Sequence, residues 1–464
     1  MVAIETEKSK VRPLTLVNKL AYGFGDVAGA VFAALYGFFM SAFLLDVAGL
    51  RPGQVGLILG ASVIVDAFTD PFIGSLSDRT HTHWGTKRPW LLFGAVPLGV
   101  AFFLHWLVPP LEGVMLFVYY LVVANLLRLA FTAVNIPYTA LIPSMTRDYD
   151  LRTQLNTFRF MFSIGGSIVA ILLHPVLVDF GGDAITGNAL SAGVWAVVII
   201  IATLSCFAGT FELPSDTPQN AESLNFFQRL RIVAQNRPYL IVTGIYLLSW
   251  LSLQIVQANL LLYTRYWLVA EDQFQIFVAL LQIVAGVFLP IWAWGSTKIG
   301  KRGVYVAGAT IWLISSIGIF FVQPGQVSFI FAASVFSGMG LSVAYLIPWS
   351  MVPDTIEHNE LETGERQEGV FYGMFVFLQK LGLSAGLALS GFALEAAGFI
   401  NAEVIDGVQQ IVAQPDSVLL TLRVIVSLVP AVILALSIPL ALMYPITRSR
   451  YDEIQVALAE RKAS

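Results

Sequence analysis

The chain has 464 residues, of which 57% are hydrophobic and 12% charged, where a soluble chain carries about a quarter charged residues. With a mean hydropathy of +0.75 and a net charge of −4, this composition belongs to a chain built into a bilayer, and nothing in it points to a nucleic-acid partner. Cys206 is the only cysteine, which excludes disulfides within the chain and cysteine-based metal sites.

The N-terminus, Met1–Pro13, is polar and precedes an apolar run too long for a cleavable signal, so that run is expected to stay as a membrane helix. Runs of roughly 20 apolar residues read as spans. In chain order they fall at about 18–46, 53–76, 90–109, 114–144, 158–178 and 189–211. A second set follows at 239–268, 273–295, 303–322, 327–352, 370–398 and 418–445. The expectation is an all-α membrane protein of twelve transmembrane helices.

Basic residues choose the orientation. Lys8, Lys10, Arg12 and Lys19 precede the first span, and Arg79, Lys87 and Arg88 follow the second. Arg147 and Arg152, then Arg229, Arg231 and Arg237, follow the fourth and sixth. Lys298, Lys301, Arg302, Arg366, Arg448 and Arg450 continue the alternation, while the opposite loops hold Asp183, Glu271, Glu403 and Asp416. Positive residues stay inside, so both termini are expected to be cytoplasmic. The long polar break after the sixth span divides the chain. It gives a cytoplasmic tail at 1–17, a six-helix bundle at 18–212, a linker at 213–238, a second bundle at 239–446 and a tail at 447–464. Within the linker, Asn225–Gln235 alternates Phe226, Phe227, Leu230 and Ile232 with Arg229 and Arg231, the pattern of a short amphipathic helix on the membrane surface.

Chemistry in such a chain is carried by ionisable residues at membrane depth, which are costly unless they serve a partner or an ion path. Asp66 and Asp70 lie four residues apart in the second span and share a helical face. Like charges so close repel, and one proton or small cation relieves the repulsion. Thr132 and Asn135, three apart in the fourth span near Pro137, add neutral oxygens, so the four form a hard ligand set for Na⁺. The alternative is a structural ion pair with Lys380 or Arg159 as counter-charge. Arg128 is a further interior charge, read either as a pairing partner in the bundle or as a substrate contact. Trp349 and Tyr372 flank polar residues on spans ten and eleven and offer a stacking surface. No nucleotide-binding loop and no convergent acid–base set occur, so neither an ATP-driven pump nor an enzyme is expected.

Gly74–Arg79 with Gly85–Arg88, and Gly295–Arg302 in the second half, form matching glycine-and-basic turns. The first resembles the loop signature of the major facilitator superfamily, which implies two bundles rocking about a central cavity. Asp78, Arg79, Arg88 and Arg302 are then gating candidates. Further stretches resemble the glycoside–pentoside–hexuronide cation symporters, the family of melibiose permease. They are Asn18–Asp26, Asp66–Pro71 with Trp84–Trp90, Asn135–Pro143, Pro348–Asp354, Thr363–Gly369 and the helix carrying Lys380. The resemblance implies that Asp66, Asp70 and Thr132 bind the coupling Na⁺, Li⁺ or H⁺, that Lys380 lies near it, and that Arg159 contacts sugar. Two acids that contact sugar in melibiose permease fall on Ala30 and Asn135. The stretch Ala34–Phe39 with Leu44–Ala48 is also similar to the animal sodium-coupled lysophosphatidylcholine transporters.

The sequence thus points to a multi-pass symporter of the inner or plasma membrane, working as a monomer without a cofactor. It is expected to couple Na⁺ or H⁺ to uptake of a small organic solute, a sugar or glycoside first and a lysophospholipid second. The substrate site is expected near Asp26, Asn135, Arg159, Trp349, Tyr372, Gln379 and Lys380. A non-transporting sensor on the same fold is the third reading.

Overall fold

A computed structural model describes residues 14–146, 148–213, 226–364, 367–405, 408–410 and 412–463. Lys8, Lys10, Arg12, Arg147, Glu365 and Arg366 lie outside the described residues, as do linker residues 214–225. The long helices are α1 (Leu16–Phe38), α2 (Pro52–Arg79), α3 (Arg88–His105), α4 (Gly113–Thr139), α5 (Tyr149–Phe180) and α6 (Ala184–Gly209). After the linker come α7 (Arg237–Leu262), α8 and α9 (274–299 and 301–320), α10 (Val327–Thr363), α11 (Glu368–Ala396) and α12 (Asp416–Leu442).

Among the described residues, eleven helices are long and apolar enough to cross a membrane. The count is eleven because α8 and α9 run on as one element, broken only where Gly300 takes a φ of 74° that a side chain would resist. The fifth helix begins at Tyr149, nine residues before the expected apolar run, because Asp148 caps it by accepting from the Leu151 amide at 2.9 Å. Among the described residues the fold is helical but for a small antiparallel hairpin, Glu403–Ile405 with Val408–Gln410, in the loop before α12.

Helices with bare polar ends cannot sit in lipid, and the chain closes them with its own side chains. Thr15 and Asn18 form a capping box on α1, Asp183 caps α6, and Asn236 caps α7 through the Tyr239 amide at 2.9 Å. The start of α2 is closed by Glu395 of α11, which accepts from the Gly53 amide at 2.8 Å.

Packing follows chain order. Helices α1–α6 pack on one another, with α1 against α5 and α6, α2 and α3 against α4, and α3 against α6. Likewise α8 and α9 pack on α10, and α7 on α10, α11 and α12. Three pairs join the two sets: α2 with α11, α5 with α8 or α9, and α1 with α7. The α2–α11 pair is the closest. A Cβ on Gly56 would fall 2.9 Å from the Leu387 carbonyl oxygen, and one on Gly60 2.8 Å from that of Ser384. Two ends of the molecule result. The near end carries the start of α1, the 80–87 loop, the linker helix Phe226–Gln235 and the C-terminal helix Arg448–Ala463. The far end carries the loops after α1, α3, α5, α7, α9 and α11.

The largest apolar core unites both sets toward the far end, where Phe38, Phe39, Phe43 and Leu44 meet Leu261, Leu262, Phe274 and Leu394. The linker forms a helix over Phe226–Gln235. It buries Val233 against Tyr239, Phe371 and Phe375 of the second set, because its apolar stripe finds protein there.

Candidate cation and substrate site

Polar groups from three helices meet at the level where α2 leaves its close approach to α11. One turn separates Asp66 from Asp70 on α2. The Thr132 hydroxyl, from α4, lies 2.5 Å from Asp66 Oδ1 and 3.1 Å from Asp70 Oδ1. Lys380 Nζ, from α11, lies 2.8 Å from Asp66 Oδ2 and 2.5 Å from Asp70 Oδ2. Arg128, one turn before Thr132 on α4, places Nη1 3.8 Å from Asp66 Oδ2. Asp66 and Arg128 expose 7% and 12% of their side chains, so these charges are largely removed from solvent. Two carboxylates therefore face two cations, and the buried set is neutral.

Its chemistry suits a small hard cation. The two Oδ1 atoms and Thr132 Oγ1 converge on one side, while Lys380 occupies the Oδ2 side. Oxygen ligands with no imidazole or sulfur select the alkali and alkaline-earth class. Pro71, next after Asp70, has no amide hydrogen and frees a carbonyl in the preceding turn of α2.

A second, half-buried ion pair joins α1 and α5. Arg159 Nε of α5 donates to Asp26 Oδ1 of α1 at 3.0 Å, and its guanidinium stands 5.5 Å from the Tyr138 ring. Tyr138 stacks on Tyr22 at 4.8 Å and donates to the Tyr22 carbonyl at 2.9 Å. Asp26, Asn135, Tyr138, Thr203 and Cys206 line a cavity of about 10 Å³, room for a single water.

The sequence matches the family described as MFS/sugar transport protein over residues 21–448. The chain belongs to the MFS/sugar transport protein family. An uncharacterised symporter of Synechocystis is 35% identical to this transporter, over 97% of each chain. The sodium-dependent lysophosphatidylcholine symporter 1-A of Danio rerio is 26% identical, over 99% of this chain and 92% of its own. A mutant of the nucleoside transporter NupG superposes with a TM-score of 0.67 at 13% identity, covering 91% of this chain and 99% of its own, which shows the shared fold. This is a multi-pass membrane transporter of the major facilitator superfamily, a family of carriers rather than enzymes.

The transporter brings Asp66, Asp70, Thr132 and Lys380 together, and Asp26 with Arg159. It does not bring Asn135 to the carboxylates. Three residues after Thr132 the helix has turned, and Asn135 faces the Asp26 cavity instead. Trp349 and Tyr372 stack on each other at 6.0 Å, while Trp349 Nε1 donates to the Tyr246 hydroxyl at 3.2 Å. Tyr372 packs against the apolar core of the second set, whereas Trp349 is 40% exposed and meets the Phe375 ring edge-on at 5.5 Å. Gln379 is buried beside Lys380 on α11.

The gating candidates divide in the same way. Asp78 pairs with Lys87 inside its own turn, and Arg79 and Arg302 are exposed. Arg88 donates to the Phe207 carbonyl at 2.8 Å and lies over the Phe207 ring. Lys301, next to Arg302, holds Asp354 at 2.7 Å.

Several functional candidates carry no local signal. Glu212 accepts from the amides of Thr86, Lys87 and Arg88 at 2.8–2.9 Å, closing the N-terminus of α3 from the end of α6. At the far end, α1 and α7 each continue into a π-helical turn, Phe43–Val47 and Tyr263–Trp267. Asp46 on the first turn pairs with Arg265 on the second at 2.5 Å and accepts from the Tyr266 hydroxyl at 2.8 Å. Glu271 takes the other edge of the same guanidinium at 2.5 and 2.8 Å. Beside this triad lies a cavity of about 190 Å³ lined by Phe39, Phe43, Trp106 and His174. Only the matching positions of Asp46 and Arg265 in the two halves, at the ends of their first spans, hint at it in sequence.

Proposed function

We propose that the transporter is a Na⁺-coupled symporter that imports an amphiphile of the lysophospholipid class by alternating access of its two six-helix halves. Both termini are cytoplasmic in this reading, so the far end faces outward and is closed here. The observation that carries the reading is the position of Lys380. Its ammonium sits on the Oδ2 side of both carboxylates and ties α11 to α2 across the two halves.

A cation accepted by Asp66, Asp70 and Thr132 removes the need for that ammonium. Released within the bundle, Lys380 becomes an unpaired buried charge, which costs several kcal/mol. An anionic group on the substrate removes that cost. Cation and anionic substrate therefore favour each other, which is the linkage a symporter requires. A phosphate-bearing headgroup satisfies Lys380, whereas a neutral sugar does not. The absence of acids at Ala30 and Asn135 also leaves few acceptors for sugar hydroxyls. The sodium-dependent lysophosphatidylcholine symporter among the relatives supports the same choice. A glycoside substrate is the second reading, favoured by the description of the family.

Purified transporter in proteoliposomes decides between them. Sodium-dependent uptake of lysophosphatidylcholine, abolished in Asp70→Asn, is the expected result. Uptake of glycosides alone reverses the substrate assignment, and sodium-independent uptake removes the coupling.

A further inference from the structure

We infer that Arg128 is a positioning residue that fixes the number of coupling ions, holding the cation site to a single monovalent charge. The inference rests on the cation-coupled reading above and concerns a side chain that touches neither ion nor substrate in it.

Arg128 and Lys380 both face Asp66, yet they are held differently. Lys380 belongs to α11 in the second half and carries a flexible four-carbon stem that retains little once its partners are taken. Arg128 belongs to α4, in the same half as both carboxylates. Its guanidinium stands 4.5 Å from the Tyr36 ring and 5.2 Å from the Phe32 ring, both on α1. The Tyr36 hydroxyl is held 3.0 Å from Ser62 Oγ, one turn before Asp66, so the aromatic shelf is fixed to α2. Arg128 Nε is buried with no hydrogen-bond partner. A guanidinium with an unsatisfied buried donor is a poor structural peg, and what it delivers to Asp66 at 3.8 Å is charge.

The groups facing this charge are Asp66 and Asp70 on α2, Lys380 on α11, Tyr36 on α1 and His105 on α3. The His105 ring lies 5.6 Å from that of Tyr36. With Lys380 in place, Asp66, Asp70, Lys380 and Arg128 sum to zero. When the halves part and Lys380 leaves with α11, Arg128 stays and one negative charge remains. One monovalent cation restores neutrality, and a second would leave a net positive charge in a buried site. Without Arg128 the same site would call for two.

This bookkeeping makes a counterintuitive compensation testable with sodium alone, by counting radiolabelled sodium bound at saturation to the purified full chain. The wild type is expected to bind one ion per chain. Asp66→Asn leaves Asp70 balanced by Arg128 once Lys380 has gone, so its sodium affinity should fall by roughly tenfold or more. Removing a positive charge as well, in Asp66→Asn with Arg128→Gln, should restore single-ion binding, although a liganding carboxylate is still missing. Arg128→Lys should bind one ion. If the double variant does not fold, Arg128→Gln alone decides, with a second sodium expected at saturation. Arg128 is purely a packing residue if the double variant binds no better than Asp66→Asn. The same holds if Arg128→Gln takes only one sodium at saturation. A wild type that binds no sodium overturns the cation-coupled reading as well.

Discussion

Lys380 and Asp70 are 310 residues apart in sequence, yet the fold brings the ammonium within 2.5 Å of the carboxylate. Charge at membrane depth is the strongest residue-scale signal in the chain, and Asp66, Asp70 and Thr132 are readable from spacing because a helix puts positions three and four apart on one face. Asn135 shows where that reasoning stops. Its spacing puts it on the same broad face as Thr132, yet there it lines the cavity beside Asp26 of α1. Lys380 offers a sign-specific test. With its ammonium removed in Lys380→Met, the carboxylates have lost their mobile competitor. Sodium should bind more tightly, by about 1–3 kcal/mol, while uptake of an anionic substrate is lost. Sodium titration by thermal shift and substrate flux in vesicles report the two arms separately. Weaker sodium binding would mean that Lys380 assists the cation rather than competing with it.

Helices in this transporter are defined by apolar length and ended by caps, and those limits were mostly legible. Gly300 breaks α8 from α9 as the glycine-and-basic turn led one to expect, and Asp148 accounts for the early start of α5. What no single element reveals is its neighbour. Gly56 and Gly60 read as ordinary small residues in an apolar run, but their lack of a side chain is what lets α2 lie on the α11 backbone. That contact places Lys380 against the two aspartates. Gly56→Leu is expected to force the helices apart and destabilise the protein by about 1–3 kcal/mol. A lower melting temperature and a weakened sodium response together would verify it, whereas an unchanged response would show that the site does not depend on that approach. Glu212 teaches the same lesson at the near end. It closes α3 from the end of α6, a pairing that depends on how the chain returns rather than on any local pattern.

At the scale of the molecule, the two halves meet through a continuous apolar core and an ionic triad at the far end. Arg265 is 10% exposed and Asp46 is wholly buried, so removing the guanidinium leaves an uncompensated carboxylate costing about 3–5 kcal/mol. Arg265→Met should therefore loosen the far-end closure. Its expected signature is faster labelling of a cysteine introduced at Ala42 by a membrane-impermeant maleimide, with the native Cys206 remaining buried and silent. Labelling at the wild-type rate would place the seal in the apolar core alone.

The sequence by itself determined the solvent in which this protein lives, the lengths and order of its helices, and the presence of charge where charge is costly. These are local properties, set by hydropathy, helical periodicity and capping within a few turns. Only the tertiary structure decided which charges meet. It matched Asp66 and Asp70 with Lys380 and Arg128, Asp46 with Arg265, and Asn135 with Asp26. A buried charge states that it needs a partner but not which one, and helix rotation and close approach make that choice across the whole chain.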